Sequence, residues 1–196
     1  MKLLDLFCGA GGAAMGYHRA GFEVVGVDDR PQPRYPFEFH QGDAMTWPLE
    51  GFDAIHASPP CQAYARVTAW RGDRGDHPDL LDATWERLSR ARVPYVIENV
   101  PEALPLADLE LCGSHFGLAV RRHRRFLAPW LPFALLTPCA HHGLKPFEHK
   151  GERAYADAMG CTWMSKKEAR QAIPPAYTEY IGQRLTRLLA DHPEEG

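Results

Sequence analysis

The stretch that most restricts the fold runs from Lys2 to Asp28. Lys2 to Phe7 is apolar apart from Lys2 and Asp5 and reads as a strand. Cys8-Gly9-Ala10-Gly11-Gly12 follows, a turn whose glycines let backbone approach a ligand closely. The run from Ala13 has helical spacing, and Gly21 is placed to stop that helix. Phe22 to Val27 reads as a second strand, closed by Asp28. Strand, glycine turn, helix, strand and acid is the pattern of a βαβ unit that holds an adenosine-containing cofactor, with the acid on the ribose hydroxyls. An ordinary βαβ unit with a tight turn is the plainer alternative. Either way the chain is expected to be α/β, with a mostly parallel central sheet flanked by helices.

A second constraint lies in Phe52 to Ala57, an apolar strand followed by Ser58-Pro59-Pro60-Cys61-Gln62. The prolines end the strand and deliver a cysteine where open α/β sheets place their ligands. Tyr95 to Val100 is another apolar strand, and it ends with Glu98. A thiol and a carboxyl group at neighbouring strand ends suit a nucleophile with an acid beside it, although a buried structural thiol is the commoner fate of cysteine. Gly42-Asp43-Ala44 follows the proline-rich Pro31 to Pro36 and puts an acid after a third short strand. Such an acid suits an adenine amino group, but the tripeptide is also a common turn.

The remaining chain supplies surfaces and core. Gln62 to Pro78 is long and polar, with Arg66, Trp70, Arg71 and Arg74, and reads as a lid whose cations and aromatic ring suit phosphates and base stacking, or more plainly as a solvated loop. Leu80 to Arg92 reads as a helix with Leu81, Trp85 and Leu88 as its core stripe. Leu109 to Cys112 and Arg125 to Ala128 read as two more strands, the second preceded by the basic cluster Arg121-Arg122-His123-Arg124-Arg125. Arg122 and Arg124 alternate, so they are expected on one strand face. Residues 129 to 158 are rich in proline and histidine and lack periodicity. Ser165 to Glu168 is a capping box opening a short helix, and Tyr177 to Ala190 is an amphipathic closing helix with Ile181, Leu185, Leu188 and Leu189 buried.

Net charge is −3, so any nucleic-acid contact must rest on local positive charge. Five cysteines without an even framework point to reduced thiols and a cytoplasmic setting. The N-terminal run broken by Asp5 is not expected to be a secretory signal, and no stretch nears the roughly 20 apolar residues of a membrane span. Cys112, His115, Cys139, His141, His142 and His149 include pairs of the kind found at structural zinc. The spacing is not that of a standard finger, Cys112 reads as packing beside the sixth strand, and no metal is assigned.

Four motifs occur together in one order: Asp5-Leu6-Phe7-Cys8-Gly9-Ala10-Gly11-Gly12, Pro60-Cys61-Gln62, Glu98-Asn99-Val100 and Arg122-His123-Arg124. In this the chain resembles the cytosine-5 DNA methyltransferases, in particular compact phage-type members. The resemblance covers residues 2 to 126 and implies a Rossmann-like fold that uses S-adenosylmethionine. It implies catalytic roles for Cys61, Glu98, Arg122 and Arg124. Cofactor contacts are implied for Asp5, Phe7, Gly9, Ala10, Gly11, Gly12, Asp28, Asp29, Asp43, Ala44 and Pro59. DNA contacts are expected from Gln62, Arg66, Trp70, Arg71, Arg74 and Arg121. Val120 stands where the family has glutamine, and Ile181-Gly182-Gln183 replaces a glycine-asparagine pair. The expected organisation is one methyltransferase domain over residues 1–196, with an irregular segment at 127–158 in place of a target-recognition domain. That segment has about 30 residues, against the 50 or more of a small domain. Full target recognition would then draw on a homodimer or an accessory subunit. Three other readings stay open: an amino-methylating enzyme, for which Ser58-Pro59-Pro60 fits but Cys61 stands where an aromatic residue would stack; an RNA cytosine-5 methyltransferase; and a non-catalytic DNA-binding module.

Overall fold

The computed structural model describes residues 1–60, 80–132, 136–144, 151 and 153–191. Its strands are β1 (Lys2–Leu6), β2 (Glu23–Asp28), β3 (Glu38–Gln41), β4 (Ala54–Ala57), β5 (Tyr95–Asn99), β6 (Leu109–Leu111) and β7 (Arg124–Leu127). They form one seven-stranded sheet in the order β3-β2-β1-β4-β5-β7-β6. The first five are parallel, and β7 runs antiparallel to both β5 and β6. Strand order reverses between β1 and β4. The crevice beyond their carboxyl ends is where such sheets bind ligands, and the glycine turn and Ser58-Pro59-Pro60 both leave the sheet there.

Period-two alternation sends each strand's residues to opposite faces. Leu3, Val24, Val96 and Phe126 pack with Tyr17 of α1 (Gly12–Arg19) and Ile181 of α5 (Pro175–Asp191). Leu4, Leu6, Val27, Ile55 and Ile97 face the other way, toward Leu81 and Leu88 of α2 (Leu81–Ser89). Helices α1 and α5 come so close that a methyl group on Gly16 would lie 2.1 Å from Thr178 Oγ1 and 2.2 Å from the Pro175 carbonyl oxygen. Thr178 uses that proximity to donate to the Ala13 carbonyl at 2.8 Å.

Several boundaries differ from the sequence expectation. Trp85 is not core; it is 51% exposed. The buried face of α2 is Leu81, Thr84 and Leu88, and Trp85 lies about 100° round from Thr84. A short helix α3 (Ala154–Met159) begins inside the segment expected to be irregular; six residues are too few to display a helical period. In α5, Ile181 and Leu185 are fully buried, whereas Leu188 and Leu189 are only partly so; Tyr177, Thr178 and Gly182 complete the contact. Gly21 does follow α1, at φ 99°. The capping box at Ser165 opens α4 (Lys166–Gln171).

Candidate active site

One sheet face carries a row of polar side chains. Register pairs Asp5 with His56, and His56 with Val96, so Ser58 and Glu98 follow His56 and Val96 on the same face. Glu98 is opposite Phe126, which puts Arg124 on that face as well. Asp5, His56 and Glu98 are buried and Ser58 and Arg124 half-buried, where unpaired charge is costly, so their pairings define the site.

Glu98 is 5% exposed. Arg124 Nε lies 2.7 Å from Glu98 Oε1. It is an ion pair by distance, but it misses the hydrogen-bond direction, and Oε1 has no other hydrogen-bond partner. Burial pushes the Glu98 carboxyl above the ordinary carboxylate range, while Arg124, Arg122 and a Ser58 hydrogen bond pull it down. Ser58 stands beside Glu98, and its Oγ lies 2.9 Å from His56 Nε2. His56 Nδ1 lies 3.0 Å from the Tyr17 hydroxyl, so the neutral ring donates through one nitrogen and accepts through the other. A row of polar groups thus runs from Tyr17 through His56 to Ser58, beside Glu98. His56 is fully buried, and burial drives its pKa down to about 3, so the ring is neutral. Tyr17 and His56 were missed in the sequence because a tyrosine in a helix and a histidine in an apolar strand carry no motif.

Asn99 fixes the geometry of the neighbouring loop. Its Nδ2 donates to the Pro59 carbonyl at 3.1 Å, and its Oδ1 accepts from Val100 N at 2.8 Å. The end of β5 is thereby tied to the Pro-Pro turn. Pro59 itself is buried. Cys61, Gln62, Arg66, Trp70, Arg71 and Arg74 lie outside the described residues. Of the described thiols, burial pushes Cys8 far up and Cys161 up to about 12, so neither suits a thiolate role.

The arginine pair is split. Arg122 precedes β7 instead of sharing a strand face with Arg124. It is 4% exposed, donates to the Tyr155 hydroxyl at 3.2 Å and the Arg170 carbonyl at 2.9 Å, and its own carbonyl accepts from the Tyr177 hydroxyl at 2.5 Å. Arg122 therefore locks the C-terminal helices to the sheet. The expected strand alternation failed because β7 starts only at Arg124. Arg121 is exposed.

On the cofactor side, Phe7 adopts φ 57°, a left-handed conformation unusual for a bulky residue. Gly11 has φ 82°, and a side chain there would strike Pro36 at 2.8 Å. Gly9 N donates to Asp28 Oδ2 at 2.9 Å and Arg30 N to Asp28 Oδ1 at 3.1 Å, so this acid ties the turn to β2. Each of its oxygens keeps a lone pair for a hydroxyl. Asp43 follows β3, exposed, with Oδ1 accepting from Met45 N at 2.8 Å. Asp29 is exposed and faces Arg30. Asp5 is fully buried under the turn, beside Tyr35 and the Ala14 backbone; burial, and then Asp28, push its pKa well up. Ala10 and Ala44 are buried too; Trp163 Nε1 donates to the Ala10 carbonyl at 2.9 Å, and Arg87 to that of Ala44 at 2.8 Å. Asp5, Ala10 and Ala44 shape the cradle from beneath. Phe7, Gly9, Asp28 and Asp43 stand nearer its surface. Their combination of a strained turn, open space around the Gly9 α-carbon and two acids at successive strand ends fits an adenosine-bearing cofactor.

Residues 1–108 match the family model for C-5 cytosine-specific DNA methylase. The chain belongs to that family. It is 32% identical over 82 residues to the type II methyltransferase M.FnuDI of Fusobacterium nucleatum, covering 37% of this chain and 24% of that one. It is 28% identical over 160 residues to M.HgiDI of Herpetosiphon aurantiacus, covering 65% and 51%. The chain thus spans from about a quarter to about half of these relatives' length. The fold is similar to the crystal structure of S. pombe Dnmt2 methyltransferase, with TM-score 0.58 and 14% identity over 96% of this chain and 99% of that one. Among the described residues, no helix is long and apolar enough to cross a membrane.

Proposed function

We propose that this chain transfers a methyl group from S-adenosylmethionine to carbon 5 of cytosine in DNA. The observation that carries this reading is the buried Glu98–Arg124 pair, at the strand end next to the one from which Ser58-Pro59-Pro60 leads into Cys61. Carbon 5 of cytosine is a poor nucleophile. The Cys61 thiolate adds to carbon 6, forming an S–C bond and making the ring an enamine nucleophilic at carbon 5. Glu98 hydrogen-bonds ring nitrogen 3 and the amino group and shares its proton as negative charge reaches the ring. Burial suits Glu98 to that task, because desolvation raises its pKa and so eases its uptake of a proton. Arg124 serves the base's carbonyl oxygen. The bound cofactor supplies an electrophilic methyl group. A base then takes the carbon 5 proton and the S–C bond breaks, restoring the ring and the thiolate.

Phe7, Gly9, Gly11 and Gly12 would hold the cofactor, with Asp28 on the ribose and Asp43 on the adenine amino group. The target base must leave the duplex, which costs a few kcal/mol, and the segment from Gln62 to Pro78 is the candidate for closing over it. Recognition is short or relaxed, or is completed by a second copy or subunit. A radiolabelled methyl-transfer assay on duplex DNA, single-stranded DNA and tRNA, with digestion to nucleosides, tests the reading. Label in 5-methylcytosine from DNA is expected. Label confined to tRNA would move the substrate to RNA, and no transfer to any of them would leave a binding module.

A further inference from the structure

We propose that Cys112, His123, Cys139 and His141 bind one zinc ion in a tetrahedral site that fastens the segment 136–144 to the strand carrying Arg124. These four side chains offer ligand atoms that all lie within 4.8 Å of one another. Cys112 Sγ is 3.5 Å from His141 Nε2, and Cys139 Sγ is 3.5 Å from His123 Nε2. In a tetrahedral site with Zn–S near 2.3 Å and Zn–N near 2.0–2.1 Å, a sulfur and a nitrogen ligand sit roughly 3.6 Å apart. These two separations match the edges of such a tetrahedron, and the four atoms, all within 4.8 Å, need close in only slightly around one ion. The His123 and His141 rings meet nearly perpendicular, at 85° with centroids 4.9 Å apart, so both can aim a nitrogen at one point.

The surroundings suit a metal more than two plain thiols. Cys112 is fully buried and follows β6 directly. Two thiolates and a dication sum to zero charge, which is tolerable in such a place. His115 Nδ1 accepts from Cys112 N at 3.3 Å, so the neutral ring carries its proton on Nε2, 3.4 Å from Cys139 Sγ. His115 thereby directs an N–H at a ligand sulfur, the usual partner of a metal-bound thiolate. Ser114 Oγ is buried beside Cys139 with no well-formed hydrogen bond, a second donor waiting for a charged sulfur. His115 and Ser114 are positioning residues. The set also has a structural purpose: His123 sits between Arg122 and Arg124, and residues 136–144 contain no helix or strand of their own. Small irregular segments of this kind are commonly held by a metal.

The experiment uses the full chain purified without chelator. Elemental analysis is expected to find about one zinc per chain. Cobalt exchanged into the same protein should give thiolate-to-metal charge transfer and the visible bands of a tetrahedral ion. Cys112→Ser and Cys139→Ser should each lose most of the metal. His115→Ala should keep it but weaken affinity about 10- to 100-fold, and the exposed His142→Ala should keep it unchanged. Less than about half an equivalent in the wild-type protein, with no thiolate charge transfer on cobalt addition, overturns the site. So does full metal retention in the doubly substituted C112S/C139S protein. The wild-type readings need no variant to fold, and none of these measurements depends on methyl transfer.

Discussion

Arg124 Nε lies 2.7 Å from Glu98 Oε1, with the two side chains 14% and 7% exposed, yet the contact is skewed from the hydrogen-bond direction. A buried pair left imperfect can exchange its partner for a ligand at little cost. Glu98→Gln keeps the shape and removes the proton. Methyl transfer should fall by about 10²- to 10⁴-fold, measured as single-turnover rate, with cofactor affinity nearly unchanged. A glutamine variant within a few-fold of wild type would remove Glu98 from the chemistry. Arg124→Ala leaves a buried carboxyl without its cation and should cost about 3–5 kcal/mol in urea melts at neutral pH.

Cys61→Ser should abolish turnover and leave cofactor binding nearly intact, since the thiol is assigned to the base and not to the adenosine. DNA containing 5-fluorocytosine should trap the chain as a covalent adduct through Cys61, because fluorine cannot leave as a proton does. Intact-mass spectrometry of protein incubated with this DNA and cofactor reads the adduct. Its absence under conditions that methylate ordinary DNA would falsify the covalent route.

The glycine turn after β1, Asp28 at the end of β2 and the Pro-Pro turn after β4 were legible in the sequence because each sits at a strand end, where an apolar run stops and glycine, acid or proline begins. What could not be read was the pairing across strands. Nothing local to Tyr17, His56 or Ser58 indicates that helix α1 lies over β4. Likewise His123 pairs with Cys139 only through the placement of β7, so spacing alone did not gather the four candidate metal ligands. Arg122 was misjudged for a related reason: alternation assumes that a strand has already begun. Trp85 shows the converse limit, since an apolar residue at i+4 is buried only if the helix meets a neighbour there.

His56 should govern acid stability. Its folded-state pKa is depressed to about 3 by burial, whereas an unfolded histidine titrates near 6.5. The neutral ring's contribution is therefore fully present above pH 6.5. It is lost as pH falls toward 3, at about 1.4 kcal/mol per pH unit, because the unfolded chain takes up the proton first. His56→Gln removes this term. Urea midpoints measured from pH 7.5 to 4.5 should converge as pH falls, the wild type losing stability faster than the variant. Parallel profiles would show that His56 titrates in the folded protein as it does in the unfolded chain.

The last expectation concerns specificity. Base-edge readout needs several side chains held in a groove by a rigid scaffold. Between β7 and α3 the chain offers only a short stretch, and the proposed metal would bind part of it back to the sheet. A recognition context of about one to three base pairs is expected, each discriminated by about 1–3 kcal/mol. Arg66, Arg71, Arg74 and Arg121 would then supply much of the affinity through phosphates, and binding should weaken steeply with salt as counterions are released. Bisulfite sequencing of a methylated plasmid, with strand-resolved site counts, reads the context directly. Modification confined to a motif of four or more bases would mean that the short segment, a second copy or a partner subunit reads more sequence than this scaffold permits.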